Sequence, residues 1–169
     1  MIRSARIVSV AVLACAVLSA CSWNEGVSSA GTEFDTSRAA RVGGVGQAVV
    51  DTATSLVGSP YRYGGSGPKV FDCSGLVYYS YRAAGVEVPR TSVQQFREST
   101  MIGIDEARPG DLLFFRYDRK VSHVGIYLGD RQFVHAPSTG GRVSVQSLQQ
   151  AHYRDRFVGA GRIDGIGIN

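Results

Sequence analysis

The sequence predicts an α+β domain in which N-terminal helices pack against one antiparallel β-sheet. Two observations lead to this prediction. Residues 45–84 contain apolar side chains at helical spacing, whereas the chain from residue 111 onwards consists of short β-branched and aromatic segments separated by turns. Helices followed by strands are typical of α+β folds. The length of 169 residues fits one domain with extensions, so we assign residues 45–169 to a single domain.

The N-terminus has the features of a bacterial lipoprotein signal over residues 1–20. A short basic stretch precedes the uncharged apolar run IVSVAVLACAVL, which is too short for a membrane span of ~20 residues. The following LSAC resembles a lipobox, in which the cysteine is lipidated after cleavage. We therefore expect a lipid anchor at Cys21 and a flexible Ser/Gly-rich tether to residue 44. An ordinary secretory signal with a chance cysteine is the alternative.

The expected location is the cell envelope. Several acyl chains on one cysteine anchor a protein firmly, because a single chain binds a membrane only marginally. By resemblance to enteric lipoproteins, Ser22 after the cysteine favours the outer membrane, facing the periplasm, in an organism that has one. The net charge of +4 is mild, and no basic cluster with interleaved aromatic residues is evident. These features do not favour a nucleic-acid partner.

The cysteine count draws attention to Cys73. Of the three cysteines, Cys15 leaves with the signal and Cys21 carries the lipid, so Cys73 is the one free thiol of an exported protein. Structural cysteines in such a compartment usually occur in pairs. A single one is either a small buried hydrophobic residue or a reactive thiol, and the count alone favours the first interpretation.

Three helices are predicted before the sheet. Each has apolar spacing together with a start or stop signal. They cover residues 45–57, ended by Gly58 and Pro60; residues 73–84, ended by Gly85; and a segment capped by Thr91 or Ser92 that runs through Phe96 to about Thr100.

Five strand-like segments follow a turn at Pro109-Gly110-Asp111. They are DLLFFR, HVGIYLG, QFVHAP, RVSVQ and RFVGAGRI. His123 opens the second and His135 lies near the end of the third, with a hairpin signal at Gly129-Asp130 between them. A two-residue loop with regular pairing would place the two histidines on opposite faces, because side chains alternate along a strand. We therefore predict a β-bulge or an odd-numbered loop that brings both to one face.

Cys73 at a helix N-terminus suggests nucleophilic chemistry. The helix dipole is expected to lower the thiol pKa and increase the thiolate fraction. Packing of this helix across the sheet would bring Cys73 to His123, the expected base, while His135 orients the imidazole. The backbone N–H of Cys73 is an expected oxyanion donor.

Each residue also has a simpler interpretation. His123 and His135 taken singly are more typical of satisfied histidines in a sheet, and His152 is assigned to the surface. The same Cys73, His123 and His135 are also legitimate zinc ligands, although they lack tight ligand spacing. The Gly-rich GGSGPK lacks the Gly-Lys-Ser/Thr ending of a phosphate loop and is read as a turn.

The order and flanks of six motifs favour the catalytic interpretation. The motifs SPYRYGG, DCSGLV, VPRTSVQQF, RPGDLLFF, SHVGIYLG and FVHAP resemble the NlpC family of bacterial cell-wall cysteine peptidases, which have a papain-like fold. The resemblance covers about residues 46–163. Within that family the similarity is greatest to single-domain outer-membrane murein endopeptidase lipoproteins. The resemblance implies that Cys73 is the nucleophile, His123 the base and His135 the orienting residue. It also places Tyr61 near the oxyanion.

Three further residues flank this predicted site. Asp72 is expected to cap the helix or anchor the preceding loop, and Ser74 to contact the substrate. Arg90 is expected either to bind a substrate carboxylate or to form a surface salt bridge. No metal or cofactor is implied.

The resemblance further implies a peptidoglycan endopeptidase that cleaves near diaminopimelate. The bond is either D-glutamyl to diaminopimelate in one stem or D-alanyl to diaminopimelate in a cross-link. Stem peptides are thus the expected partner, and envelope adaptor proteins are unidentified. A non-catalytic envelope-binding module of the same fold remains the alternative.

Overall fold

The computed structural model describes residues 36–117, 119–138 and 140–163, with backbone only for residues 36–43. The predicted signal peptide, the lipidated Cys21 and residues 22–35 of the tether lie outside the described residues and remain predictions. Among the helices that are described, none is long and apolar enough to cross a membrane.

Three helices precede the sheet, as the sequence predicts, and a short fourth helix lies between its last two strands. The helices are α1 (Thr36–Ser55), α2 (Cys73–Ala83), α3 (Ser92–Glu98) and α4 (Ala151–Arg154). The strands are β1 (Thr100–Ile102), β2 (Leu112–Tyr117), β3 (Lys120–Gly129), β4 (Gln132–His135), β5 (Ser144–Ser147) and β6 (Phe157–Arg162). They form one antiparallel sheet in the order β1-β6-β2-β3-β4-β5, so the α+β prediction is confirmed.

Helix α1 begins well before the predicted start at residue 45. Residues 36–44, assigned above to the tether, are helical. That assignment rested on the absence of an apolar period, but helix propensity does not require burial, and this segment contains several helix-compatible Ala and Arg residues. The later turns of α1 are anchored in the core through Val49 and Ala53, which are fully buried.

Helix α2 has both of its predicted ends. It starts at Cys73, and the Asp72 carboxylate caps it by accepting a hydrogen bond from Gly75 N–H. At the other end, Gly85 has φ +80°. The N–H of Gly85 bonds the carbonyl of Arg82, and the next N–H bonds that of Tyr81, which is the Schellman pattern.

Helix α3 starts as predicted and ends early. Thr91 is the N-cap, and its hydroxyl accepts from the N–H of Gln94. The predicted extension to Thr100 is wrong, because Thr100 pairs with Arg162 in β1, an edge strand that the sequence analysis did not predict. The short helix α4 was also not predicted.

The sheet is buried on both faces. Leu112 and Phe114 of β2 point into a core shared with α1 and α2. Leu113 and Phe115 point to the opposite face, into a second cluster that contains Tyr153 of α4. The near-continuous apolar run of β2 follows from this double coverage, since a strand with one solvated face would alternate.

The β3–β4 hairpin contains the predicted β-bulge. Its loop is the two-residue pair Asp130-Arg131, both with positive φ. The pairing shifts between Tyr127 and Gly129, so Leu128 is the extra residue.

This bulge sets the face on which the histidines lie. Ile126 pairs with Val134, which places His135 in register with residue 125. His123 and residue 125 are two apart, so both histidines share a face. The prediction of a shared face through a bulge is confirmed.

Candidate active site

Cys73 occupies the first residue of α2, against strand β3. Its side chain is partly buried. The backbone N–H of Val124, the residue after His123, stabilises the charged form of the sulfur, as do the N–H groups of Ser74 and Cys73 itself. Helix packing therefore brings the thiol to the strand that carries His123.

The thiol is not activated in the way the helix dipole suggested. Burial raises the pKa of Cys73, the Asp72 carboxylate raises it further, and the backbone N–H groups only partly oppose them. The prediction of a lowered pKa is therefore wrong, because desolvation penalises the thiolate more than the helix N-terminus favours it. This environment favours the protonated thiol at rest.

The two histidines form a directly hydrogen-bonded pair. Nε2 of His123 lies 2.7 Å from Nδ1 of His135, with the rings nearly perpendicular. Both side chains are buried. Burial, with the nearby His152 as a second cause, lowers the pKa of His123 to about 4. Burial and then His123 lower the pKa of His135 to about 3. The resting pair is therefore neutral.

A tyrosine that the sequence analysis missed lies behind His135. Tyr153 Oη is 3.3 Å from His135 Nε2, so both nitrogens of His135 have partners. Tyr153 is only 8% exposed. The only local signal in the sequence is its place next to His152, and α4 is too short for periodicity to reveal it.

Asp72 organises the loop that precedes the thiol. Its carboxylate accepts two hydrogen bonds from Arg90, at 2.9 and 2.7 Å, and one each from the N–H groups of Gly64 and Gly75. Burial opposes ionisation, but the Arg90 guanidinium and these N–H groups outweigh it and hold the pKa of Asp72 below its usual value. Both predicted roles, cap and loop anchor, describe its contacts.

Arg90 and Ser74 belong to the same network. Arg90 Nη1 also donates to Ser74 Oγ, and Nη2 donates to the Gly65 carbonyl. Ser74 is buried and its hydroxyl donates to Asp72. These contacts favour the salt-bridge alternative for Arg90 over a substrate carboxylate, and an internal role for Ser74 over substrate contact.

Gly75 permits a close backbone contact between α2 and this loop. A Cβ added at Gly75 would overlap the carbonyl oxygen of Gly65. The Gly65 carbonyl also accepts a hydrogen bond from the N–H of Asp72 at 2.9 Å. The first turn of α2 is thus held against the loop by backbone groups as well as by Asp72.

Tyr61 lies on the same side of the site. Its backbone pairs with Phe71 and donates to the Gly141 carbonyl. Burial raises the pKa of its hydroxyl, and the charges of Cys73 and Asp72 add to this effect, so the phenol is within electrostatic range of the sulfur. Its predicted place near the oxyanion is compatible with this position.

A cleft of about 340 Å³ opens beside the histidine pair. Besides His123, His135 and Tyr153, its walls contain Tyr117, Ser122, Pro137, Ser138 and His152. His152 is exposed, as predicted, but it is not an isolated surface residue, because its Nε2 lies 3.0 Å from Tyr117 Oη.

The zinc alternative finds no support in the geometry. In the part of the chain that the structure describes, no group of three or more His, Cys, Asp or Glu side chains is placed to hold a metal ion. His123 and His135 instead direct nitrogens at each other at hydrogen-bonding distance.

The thiol at the N-terminus of α2 lies against the strand of the antiparallel sheet that carries His123. This arrangement is typical of a papain-like domain. The comparisons with known proteins specify the family. The NlpC/P60 family profile matches residues 58–162. The chain therefore belongs to the NlpC/P60 family.

Named relatives and solved structures agree with this assignment. Murein DD-endopeptidase MepH of Escherichia coli is 40% identical over 113 residues, 63% of this chain and 42% of MepH. The bifunctional muramidase/DL-endopeptidase CwlT of Bacillus subtilis is 39% identical over 121 residues, 69% of this chain and 36% of CwlT. The chain spans less than half the length of both.

The structural comparison covers most of the described domain. The solved structure of the peptidoglycan hydrolase RipB from Mycobacterium tuberculosis matches with a TM-score of 0.64 at 31% identity. The match covers 75% of this chain and 67% of that one.

Proposed function

We propose that this protein is a peptidoglycan endopeptidase that hydrolyses amide bonds of stem peptides or cross-links near diaminopimelate. The observation that carries the proposal is a helix-terminal thiol near the backbone N–H of Val124, next to His123, which is itself hydrogen-bonded to His135. The family supports it, because relatives of this chain are named endopeptidases and one of them is a murein DD-endopeptidase. Cys73 is the nucleophile, His123 the general base and acid, and His135 the orienting residue. The two relatives bear DD- and DL-endopeptidase names, so both candidate bonds remain within the proposal.

The reaction begins from a neutral thiol and a neutral imidazole. Because Nε2 of His123 is bonded to His135, Nδ1 is the nitrogen available to Cys73. As the sulfur attacks the amide carbonyl, the thiol proton passes to Nδ1 and the carbonyl electron pair moves to oxygen. Proton transfer during attack avoids a buried ion pair in the resting enzyme, which the raised thiol pKa and lowered histidine pKa disfavour.

Collapse of the tetrahedral intermediate breaks the C–N bond. The Nδ1 proton goes to the leaving amine, and a thioester joins Cys73 to the acyl half of the substrate. Water then attacks the thioester, His123 accepts one of its protons, and the carboxylic acid leaves as the thiol is restored. The N–H of Cys73 and the hydroxyl of Tyr61 are the proposed oxyanion donors.

We also propose that the protein acts from the envelope, exported and lipid-anchored through Cys21. Residues 22–35 and the start of α1 would then separate the anchor from the domain. The outer membrane is the proposed location in an organism that has one.

The function is tested with residues 22–169 and the variant Cys73→Ala on purified peptidoglycan. The expected result is new amine and carboxyl ends, identified by mass spectrometry, from the wild type only. Those fragments also name the bond. Equal cleavage by both proteins would exclude Cys73 as nucleophile. If neither protein cleaves peptidoglycan although both are folded and bind the wall, the non-catalytic binding module is favoured.

A further inference from the structure

His135 makes a second hydrogen bond, on the side away from His123. Its Nε2 lies 3.3 Å from Tyr153 Oη, while its Nδ1 lies 2.7 Å from His123 Nε2. The Tyr153 ring is perpendicular to His135 and packs edge-on against Phe133 and Phe115. The hydroxyl is therefore held in place by aromatic contacts that have no part in the chemistry.

The position of one proton on His135 decides what His123 can do. A neutral imidazole carries a proton on one nitrogen only. If His135 carries it on Nε2, Nδ1 accepts from His123 Nε2–H, and His123 Nδ1 is free to take the thiol proton. If His135 carries it on Nδ1, it donates to His123 Nε2. A neutral His123 then holds its proton on Nδ1 and is no base toward Cys73.

We propose that Tyr153 is a positioning residue that selects the productive tautomer of His135. Its Oη accepts the hydrogen bond from His135 Nε2–H, and its own proton is directed to the cleft that Tyr153 lines. Without this acceptor, the Nε2–H would face the aromatic cluster unpaired, which penalises the tautomer that makes His123 a base. The inference rests on the proposed function, because it presumes that His123 is the base.

Tyr127 supplies a matched control. It is buried to a similar degree, 7% exposed against 8%, and belongs to the same apolar cluster. Its hydroxyl also makes one hydrogen bond, accepting from the N–H of Arg131 at 3.2 Å. Tyr127→Phe and Tyr153→Phe thus each remove one hydroxyl from the same face of the sheet, but only Tyr153 contacts a histidine of the pair.

The test compares the full-length wild type, Tyr153→Phe and Tyr127→Phe. Activity is measured on soluble cross-linked muropeptides, and the His135 tautomer is read from the imidazole ¹⁵N chemical shifts. We expect Tyr153→Phe to lower kcat by about tenfold with KM unchanged, as for a lost hydrogen bond. We also expect its His135 signals to shift toward the Nδ1–H form. Tyr127→Phe should retain the wild-type kcat and the wild-type signals.

Two results would overturn the inference. One is an unchanged His135 spectrum in Tyr153→Phe, and the other is an equal fall in kcat in both variants, which would mean a packing effect only. If the wild type does not cleave muropeptides, the proposed function fails. The ¹⁵N spectra of the same three proteins would still decide whether Tyr153 sets the tautomer.

Discussion

The two halves of the candidate site are held in place by different forces. The thiol region, residues 64–75 with Arg90, is organised around one ionised carboxylate that receives five hydrogen bonds. The histidine region, His123, His135 and Tyr153 with Phe115 and Phe133, is held by neutral hydrogen bonds and aromatic packing. Cys73 is thus positioned by formal charges at a partly open edge, and His123 by a buried apolar cluster.

The two halves share one electrostatic effect, because the surroundings of Cys73 and of His123 both favour the neutral form. Burial, and then the carboxylate that orders the thiol region, raise the pKa of Cys73, and burial in the apolar cluster that orders the histidine region lowers the pKa of His123. In each half, the contacts that fix the side chain in space also disfavour its charged form. The two halves should therefore respond differently to the loss of a side chain, to pH and to the loss of a charge.

The largest effect is expected from removing the proposed orienting residue of the histidine region. His135→Ala takes away the ring nitrogen that lies 2.7 Å from His123 Nε2. Loss of an orienting residue costs kcat roughly 10³–10⁴-fold in related catalytic triads, and we expect a fall of that order in kcat/KM. The measurement is muropeptide cleavage, with circular dichroism to check the fold.

His152→Ala is the control for this variant, because it removes a histidine of the same cleft whose hydrogen bond goes to Tyr117. It should retain most of the activity. A His135→Ala variant as active as His152→Ala would show that the orientation of His123 is irrelevant to the reaction.

The second effect is a loss of stability in acid that arises from the histidine region. The folded pKa of His123 and of His135, about 4 and about 3, lie below the ordinary value of 6.5. Below pH 6.5 these histidines therefore bind protons in the unfolded chain but not in the folded one. The free energy of unfolding falls as the pH is lowered, until the folded pKa is reached. At about 1.4 kcal/mol per pKa unit, the loss from His123 is at most about 3 kcal/mol.

Urea unfolding at pH 6.5, 5 and 4 measures this loss. Asp72, whose pKa is lowered from its usual 3.8, begins to lose its contribution only near pH 4, where the loss is about 0.3 kcal/mol and small beside that of the histidines. The double variant His123→Gln/His135→Gln should therefore show a much flatter pH dependence. A dependence as steep as that of the wild type would mean that the histidines titrate normally in the folded state.

The smallest effect is expected from neutralising the carboxylate of the thiol region. Asp72→Asn removes the charge-assisted bonds to Arg90 but keeps a good N-cap. The side chain of Arg90 is one-third exposed, so solvent screens part of its interaction with Asp72, whose side chain is only 10% exposed. We expect about 1–2 kcal/mol less stability in urea unfolding.

Asp105→Asn provides the matched comparison. Asp105 forms an ion pair with Arg131 at a similar distance, 2.8 Å, but the side chain of Arg131 is 48% exposed and that of Asp105 is 86% exposed. Its loss should stay below about 0.5 kcal/mol. Equal losses in the two variants would show that Asp72 is no better placed than a surface carboxylate.

The sequence predicted features that depend on local signals. The start of α2 at Cys73, its stop at Gly85 and the turn before Leu112 each follow from a capping residue or a glycine. The shared face of His123 and His135 followed from counting residues, because the parity of a hairpin is fixed by the loop and the bulge.

The features that were missed depend on the tertiary structure. Burial of Cys73 reverses the expected pKa shift, and no local pattern reports how much solvent a helix terminus loses. The bonds from Arg90 to Asp72 and from Tyr153 to His135 join segments 18 residues apart in each case. Such pairs become visible only when the helices and the sheet are assembled.

The contact between Gly75 and the Gly65 carbonyl also has an evolutionary consequence. Because the two backbones touch, any side chain at position 75 would lift the first turn of α2 from the loop and move the sulfur relative to β3. Displacements of this kind matter in catalysis far beyond their cost to stability. In a mutational survey scored by cell-wall cleavage, Gly75 would therefore rank with Cys73 among the positions that tolerate no change. Such a survey would group Gly75 with the residues proposed to react, although what Gly75 contributes is the absence of a side chain.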